Sequence, residues 1–292
     1  MTPQSAESLG VGTYPVAIAM GTMNSAKYAF SLQNGTLTVH PAVLSVAAQN
    51  VSVTYGGKIP ALAFVLRGFV NGDSATQVSG APLLQSAVNV ESGVGVYPIT
   101  VTTGSLNAPN YTFSFVNGEV TVTKAALTVI PGNVSMTYGS ALPAMTFSVT
   151  GLINGDTAGA AVTGAPQFVT SATPSAPVGN YPLEAAVGSL TAKNYSFVFK
   201  PGAVVVGKAQ LTVTAGNGKM TAGGTVPALS STMTGFANGD TQASAVSGKP
   251  SVTTSASSAS KAGAYAIVAA QGSLGAKNYQ FSFVNGTLTV SQ

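Results

Sequence analysis

Residues 110–122 read NYTFSFVNGEVTV: an Asn-Tyr pair, a run in which aromatic and hydroxyl residues alternate, an Asn-Gly break, and a second alternating run. Alternation with period two belongs to strands that turn one face to a core and the other to water. Nearly the same string recurs as KYAFSLQNGTLTV at 27–39, NYSFVFKPGAVVV at 194–206 and NYQFSFVNGTLTV at 278–290. Asn-Gly between two alternating runs is a short-range hairpin signal, because a type I′ turn needs positive φ at both central residues. The sequence thus predicts hairpins at Asn34-Gly35, Asn117-Gly118 and Asn285-Gly286, and a different turn at Pro201-Gly202.

Aligning the copies fixes a period. Tyr28, Tyr111, Tyr195 and Tyr279 are spaced by 83, 84 and 84 residues, and Tyr14, Tyr97, Tyr181 and Tyr265 by the same steps. A third marker, Asn-Gly-Asp, occurs only at 71–73, 154–156 and 238–240, because residues 1–39 match just the back half of the other copies. The chain reads as a half module at 1–39 and full modules of about 83 residues at 42–123, 125–207 and 209–291.

Inside a module, alternating runs such as Met145, Phe147 and Val149 are separated by turn clusters such as TYGSALP and GLINGD, which predicts six or seven strands. The one helical candidate is the short segment after Asn-Gly-Asp, such as DTAGAAV at 156–162, with the Asp as its N-cap. Modules run into one another as TVTKAALTV at 121–129 and VVVGKAQLTV at 204–213, with no Gly/Ser-rich or Pro-rich linker. Short, stiff joints and an elongated rod follow as expectations. The fold class is all-β, a tandem array. The near absence of helical signal favours an immunoglobulin-like sandwich, with a β-grasp-like sheet carrying one short helix as the alternative.

Composition narrows the function classes. Apolar residues make up 45% of the 292 residues, but only 6% are charged, against roughly a quarter in ordinary soluble proteins. The surface must be built from Ser, Thr, Asn, Gln, Ala and Gly, which suits long extracellular proteins. The net charge of +4 rests on Arg67 and lysines of which no two are adjacent, so no basic stripe for nucleic acid can be read. The absence of cysteine excludes disulfides and thiolate metal sites. No run approaches the ~20 apolar residues that a membrane-spanning helix requires. The opening MTPQSAESLG has neither the basic nor the apolar region of a signal peptide, so an exported protein would contain this chain as an internal or processed fragment.

Chemistry is sparse. His40 is the only histidine and reads as an ordinary solvated side chain at a module joint. The seven carboxylates are Glu7, Asp73, Glu91, Glu119, Asp156, Glu184 and Asp240, and only the Asp of Asn-Gly-Asp recurs in every full module. Neither a carboxylate pair for acid/base hydrolysis nor a base for an activated Ser can be assembled, so no enzyme and no cofactor are expected. Asp73, Asp156 and Asp240 are weak Ca²⁺ candidates, since one carboxylate per site falls short of the usual oxygen cage. Most rings point into the core. Tyr14, Tyr97, Tyr181 and Tyr265, before Pro or Ala, read as exposed at turn tips and are the candidate ligand face. Residues 1–39 carry Tyr28, Phe30, Leu32, Leu37 and Val39 in strand pattern with half the covering strands missing, so this segment is expected to be disordered or completed by strands of a neighbouring chain.

The string ALTVIPGNVSMTYGSALPAMTFSVTGLINGDTAGAAVTGAP at 126–166, followed by VGNYPLEAAVGSLTAKNYSFVFKPGAVVV at 178–206, resembles the MBG repeat of bacterial surface proteins, the type with a Tyr-Gly motif. The resemblance spans the full modules and the half. It implies glycine-rich, mostly β units set in tandem within large adhesin-like exported proteins on a bacterial surface. Structural stalk or fibre repeats are the function it implies, with direct binding of a glycan or matrix protein as the alternative. Two positions depart from the pattern: Tyr55-Gly56 and Tyr138-Gly139 become Ala222-Gly223 in the last module, and Lys27 stands in the first copy where the others have Asn.

Overall fold

The computed structural model describes residues 9–292, so Glu7 and the first eight residues of the half module lie outside the described residues. Two compact units are formed. The first holds the described part of Met1–Ala125 with Ile153–Asp156 and Ala192–Ser196; the second holds Ala126–Leu152, Thr157–Thr191 and Phe197–Gln292.

Nearly all regular structure is strand. The half module contributes β1 (Gly12–Val16) and β2 (Gly35–Val39), an antiparallel pair with Tyr14 opposite Leu37. The first full module contributes β3 (Ala42–Ala48), β4 (Val51–Thr54), β5 (Phe64–Arg67), β6 (Leu83–Gln85), β7 (Gly95–Thr102), β8 (Tyr111–Val116) and β9 (Gly118–Thr123). The same seven follow as β10 (Ala125–Pro131), β11 (Val134–Thr137), β12 (Phe147–Thr150), β13 (Gln167–Thr170), β14 (Gly179–Ala186), β15 (Tyr195–Phe199) and β16 (Gly202–Gly207). A third set comprises β17 (Ala209–Ala215), β18 (Gly218–Thr221), β19 (Ser231–Thr234), β20 (Ser251–Thr254), β21 (Gly263–Ala270), β22 (Tyr279–Val284) and β23 (Gly286–Ser291).

Each set makes a three-stranded and a four-stranded sheet, ordered β5-β3-β8 and β4-β9-β7-β6 in the first full module. Their apolar faces meet. Val46 of β3 and Val101 of β7 are both buried and share a cluster with Leu106, Leu84 and Phe113. In the last module Ala215, Met220, Ile267, Leu288 and Val290 do the same, with Phe283 beside them. Alternation places these residues, since every second side chain of a strand faces inward. Each module combines two packed sheets with one short helical turn, the features that separated the two fold expectations.

The two sheets share two continuous chain segments. β3 pairs in parallel with β8, and β4 in parallel with β9, from Ala42 opposite Tyr111 to Thr54 opposite Thr123. Both ladders keep one register, 69 residues apart, and the Asn50 Oδ1 that accepts from the Glu119 N–H at 2.9 Å keeps it where both segments cross between sheets. Asn133 and Asn217 repeat that bond to Ala203 and Thr287, at 2.9 and 2.7 Å.

This pairing corrects the hairpin expectation. β8 and β9 lie in different sheets, so Asn117-Gly118 is a crossover rather than a turn. Neither residue has positive φ. Asn117 Oδ1 accepts from the Val101 N–H at 3.1 Å, and a Cβ on Gly118 would stand 3.0 Å from the Ala48 carbonyl oxygen. Asn285-Gly286 repeats the arrangement, with Asn285 accepting from Ala269 and a Cβ on Gly286 meeting the Ala215 carbonyl oxygen at 2.7 Å. Pro201-Gly202, where a different turn was expected, joins β15 to β16 across the sheets in the same way. Glycine is needed there for close backbone approach, not for left-handed φ. In the half module, Asn34 Oδ1 accepts from the Ile18 N–H at 3.2 Å.

The positive-φ Asn-Gly pairs lie elsewhere. Asn71, Asn154 and Asn238 have φ of 55°, 54° and 54°, and the following Gly72, Gly155 and Gly239 have 77°, 75° and 77°. The N–H of each following Asp donates to the carbonyl three residues back at 2.9 Å, closing the turn. The short helices follow, as a 3-10 turn at Ala75–Gln77, α1 at Ala158–Ala161 and α2 at Gln242–Ala245. The N-cap is the residue after the Asp in each case, Ser74, Thr157 or Thr241, which corrects the expected Asp cap.

Gly286→Ala is expected to destabilise the last module by about 1–3 kcal/mol, because the new methyl meets backbone that cannot step aside. A Gly72→Ala change, with open space around the Cβ, should cost only the left-handed strain of about 1–2 kcal/mol. Denaturant unfolding of both variants separates the two costs.

Candidate functional site

The recurring side chains gather where one module meets the next. In the first unit the Asp156 carboxylate, carried by the Asn-Gly-Asp turn, receives two phenol hydroxyls. Tyr195 of its own module donates to Oδ2 at 2.6 Å, and Tyr55 of the preceding module donates to the same oxygen at 3.1 Å. The two rings meet edge to face, with centroids 5.5 Å apart. The second unit repeats this clasp: Tyr279 and Tyr138 donate to Asp240 Oδ2 at 2.7 and 3.0 Å, and their rings are 5.4 Å apart at 83°. Each own-module tyrosine also accepts a backbone N–H, from Ile153 at 3.1 Å or Ala237 at 3.0 Å. The hydroxyl is saturated and fixes the turn to the strand.

The remaining markers serve the same place. Gly56 and Gly139 of the Tyr-Gly motif have φ of 74° and 87°. A Cβ on Gly56 would overlap the end of the Ile153 side chain, and one on Gly139 the Ala237 methyl. Asn154 and Asn238 donate through Nδ2 to the Val90 and Pro174 carbonyls of the preceding module, at 2.8 and 3.0 Å. The Asn of Asn-Tyr accepts from that module as well: Asn194 from the Val94 N–H and Asn278 from the Val178 N–H, both at 3.1 Å. Asn110 takes the Val11 N–H at 3.0 Å, so the half module is tied to the first full module by the same bond. Lys124 and Lys208, between successive strands, donate to the Ala192 and Ala276 carbonyls at 2.9 and 3.2 Å.

The tyrosines are buried and their chemistry is set by it. Tyr195 and Tyr279 are each 1% exposed. Desolvation first, and the neighbouring Asp156 or Asp240 carboxylate second, push both phenols from the ordinary 10.0 up to about 12. Burial also raises Tyr111, whose hydroxyl donates to Asp73 at 2.7 Å. A phenol that donates to a carboxylate makes a strong, charge-assisted hydrogen bond, and the raised tyrosine pKa keeps that donor proton in place to higher pH than on a free tyrosine.

The other expected residues lie apart. Tyr14, Tyr97, Tyr181 and Tyr265 sit within β1, β7, β14 and β21 rather than at turn tips, and all are half-buried. Each hydroxyl donates to the carbonyl four residues back, Gly10, Gly93, Pro177 or Lys261, at 2.7–3.1 Å. Asp73, Asp156 and Asp240 each bring a single carboxylate to their turn. Among the described residues no group of three or more His, Cys, Asp and Glu side chains comes together, and His40 is exposed between β2 and β3. No helix of the described residues is long and apolar enough to cross a membrane. The clasp was hidden from sequence reading because its partners stand 101 and 102 residues apart, though the recurrence of Tyr-Gly and Asn-Gly-Asp at one period was its signal.

A family model described as "MBG domain (YGX type)" matches residues 44–121, 127–205 and 211–289. No curated protein matches the chain.

Two measurements test the clasp. Gly139→Ala should destabilise by about 1–3 kcal/mol more than Gly223→Ala, because both residues have left-handed φ but only Gly139 faces a neighbour across a joint. Stability should stay level up to about pH 10 and fall between pH 10 and about 12. In that window the unfolded tyrosines ionise while Tyr195 and Tyr279 are held neutral in the fold, so unfolding is favoured as protons leave. Thermal midpoints measured across that range check the sign.

Proposed function

Because the chain belongs to the MBG domain family, YGX type, repeated three times in tandem, we propose that it is a non-enzymatic stalk or fibre segment of a bacterial surface adhesin. Repeats of this kind are typical of bacterial surface proteins. The observation that carries the stalk reading is that the strongest recurring side-chain chemistry is spent on joints: the Tyr55–Asp156–Tyr195 clasp and its copy Tyr138–Asp240–Tyr279. The hydroxyls of Tyr14, Tyr97, Tyr181 and Tyr265, the candidate ligand face, are tied to carbonyls just ahead of their own strands, which favours a spacer over a glycan reader. An extracellular location agrees with a surface of neutral polar residues and 6% charge.

Small-angle scattering of the chain should give an extended rod, and a compact particle would end the stalk reading. The double variant Tyr55→Phe, Tyr138→Phe removes one carboxylate hydrogen bond at each joint, worth about 1.5–3 kcal/mol apiece. It should leave each module folded by circular dichroism while broadening the distribution of end-to-end distances. An unchanged distribution would show that the clasps do not set the joints.

A further inference from the structure

The outer edge of β12 carries backbone groups that its own sheet does not use. The Gly132 N–H donates to the Thr146 carbonyl at 2.8 Å, and β12 continues that antiparallel ladder against β10, with Ile130 opposite Ser148 and Thr128 opposite Thr150. Backbone groups along a strand point alternately to either side, so Ser148 and Thr150 bond to β10 while Phe147 and Val149 turn their N–H and C=O groups outward. Pro131, opposite Phe147, fits the same alternation, since the N–H it lacks would have pointed away from β12. β12 is an edge of the β12-β10-β15 sheet, and the outward groups meet no partner among the described residues. Beside this edge lies an apolar groove of about 260 Å³, lined by Phe147, Val149, Ala158, Gly159, Val162 and Gly164. One wall is α1, whose residues Ala-Gly-Ala-Ala bring no side chain larger than a methyl. Phe147 is 36% exposed there. Natural sheet edges are commonly guarded by charge. β5 carries Arg67 at the position of Thr150, and β19 has Ser231 in place of Phe147. β12 reads Phe-Ser-Val-Thr, without charge or proline, in a module whose charged residues Asp156, Glu184, Lys193 and Lys200 sum to zero.

We propose that the β12 edge is a self-association site, at which β12 of a second copy of this chain pairs antiparallel about a two-fold axis. The occupant follows from the strand itself. Pairing Phe147 with Val149, and Ser148 with Ser148, is the register that uses every outward N–H and C=O of both strands. In that register Phe147 and Val149 of each copy lie on one face, beside the grooves, and Ser148 and Thr150 on the other, so the alternation of each strand suits its twin. No charge on either strand opposes the approach, and a module without net charge favours it. An open strand edge beside an apolar groove is the feature that strand addition exploits. Two four-residue strands bury less than the roughly 1,200 Å² of a stable dimer, so the contact is weak between free chains and is strengthened where many copies are held side by side. The proposal concerns how copies meet and does not depend on the stalk reading.

The test uses the full chain at rising concentration. Hydrogen exchange of the Phe147 and Val149 amides should slow about fivefold at millimolar chain, whereas the Ser148 and Thr150 amides, already bonded to β10, should change little. Sedimentation equilibrium should show a dimer over the same range. Ser148→Lys sets like charges opposite each other across the axis and should weaken dimerisation about fivefold, while an equimolar mixture of Ser148→Lys and Ser148→Glu chains should recover it. Ser148 is exposed, so both variants keep the module folded. Exchange and sedimentation that stay independent of concentration up to millimolar chain overturn the proposal. So does a dimer that leaves the Phe147 and Val149 amides unchanged, or a mixture that associates no better than either variant alone.

Discussion

A half-buried carboxylate that takes two tyrosine hydroxyls, one from its own module and one from the module before, is the constraint on which the joints between full modules are built. Two donors hold the Asp at each joint between full modules, and removal of either leaves the other phenol or the carboxylate short of a hydrogen bond. The geometry around it follows. The Asp must be presented on a tight turn, which Asn-Gly supplies through positive φ at Asn154 and Gly155. The incoming tyrosine must arrive on a chain close enough to touch, which the glycine after it allows. The Asn of Asn-Tyr then anchors the backbone of the preceding module beside the clasp.

The departures from the repeat take on meaning in that light. Ala222 occupies the position whose counterparts Tyr55 and Tyr138 reach forward to the next module, and Lys27 the position whose counterparts Asn110, Asn194 and Asn278 reach back. Read as sequence they look like casual losses at structural positions. They are changes at groups whose work, in the other copies, lies across a joint. Gly223 illustrates the difference: it keeps the left-handed φ of Gly139, yet a Cβ there would meet nothing within 4 Å.

Much of the architecture was legible because burial leaves a local trace. Val120 and Val122 alternate with Glu119, Thr121 and Thr123 along β9 and are buried as their spacing requires. The all-β class and the strand density came from that pattern, and the period from the recurring tyrosines. What escaped was decided at long range. Asn117-Gly118 and Asn154-Gly155 are the same dipeptide, but the first lies between strands of different sheets and the second closes a turn, and only pairing partners 69 residues away distinguish them. Asp156 likewise has the chemistry of an N-cap, yet Tyr195, 39 residues on, takes its carboxylate and leaves the cap position to Thr157.

The parallel ladder that links the first and last segments of each module has a mechanical consequence. A module is entered at Ala42 and left at Thr123, and the segments that begin and end there run side by side in the same direction. Tension on the two chain ends therefore slides one segment along the other instead of peeling them apart. The bonds of the ladder are loaded together, in shear, and must fail as a group before the chain can extend.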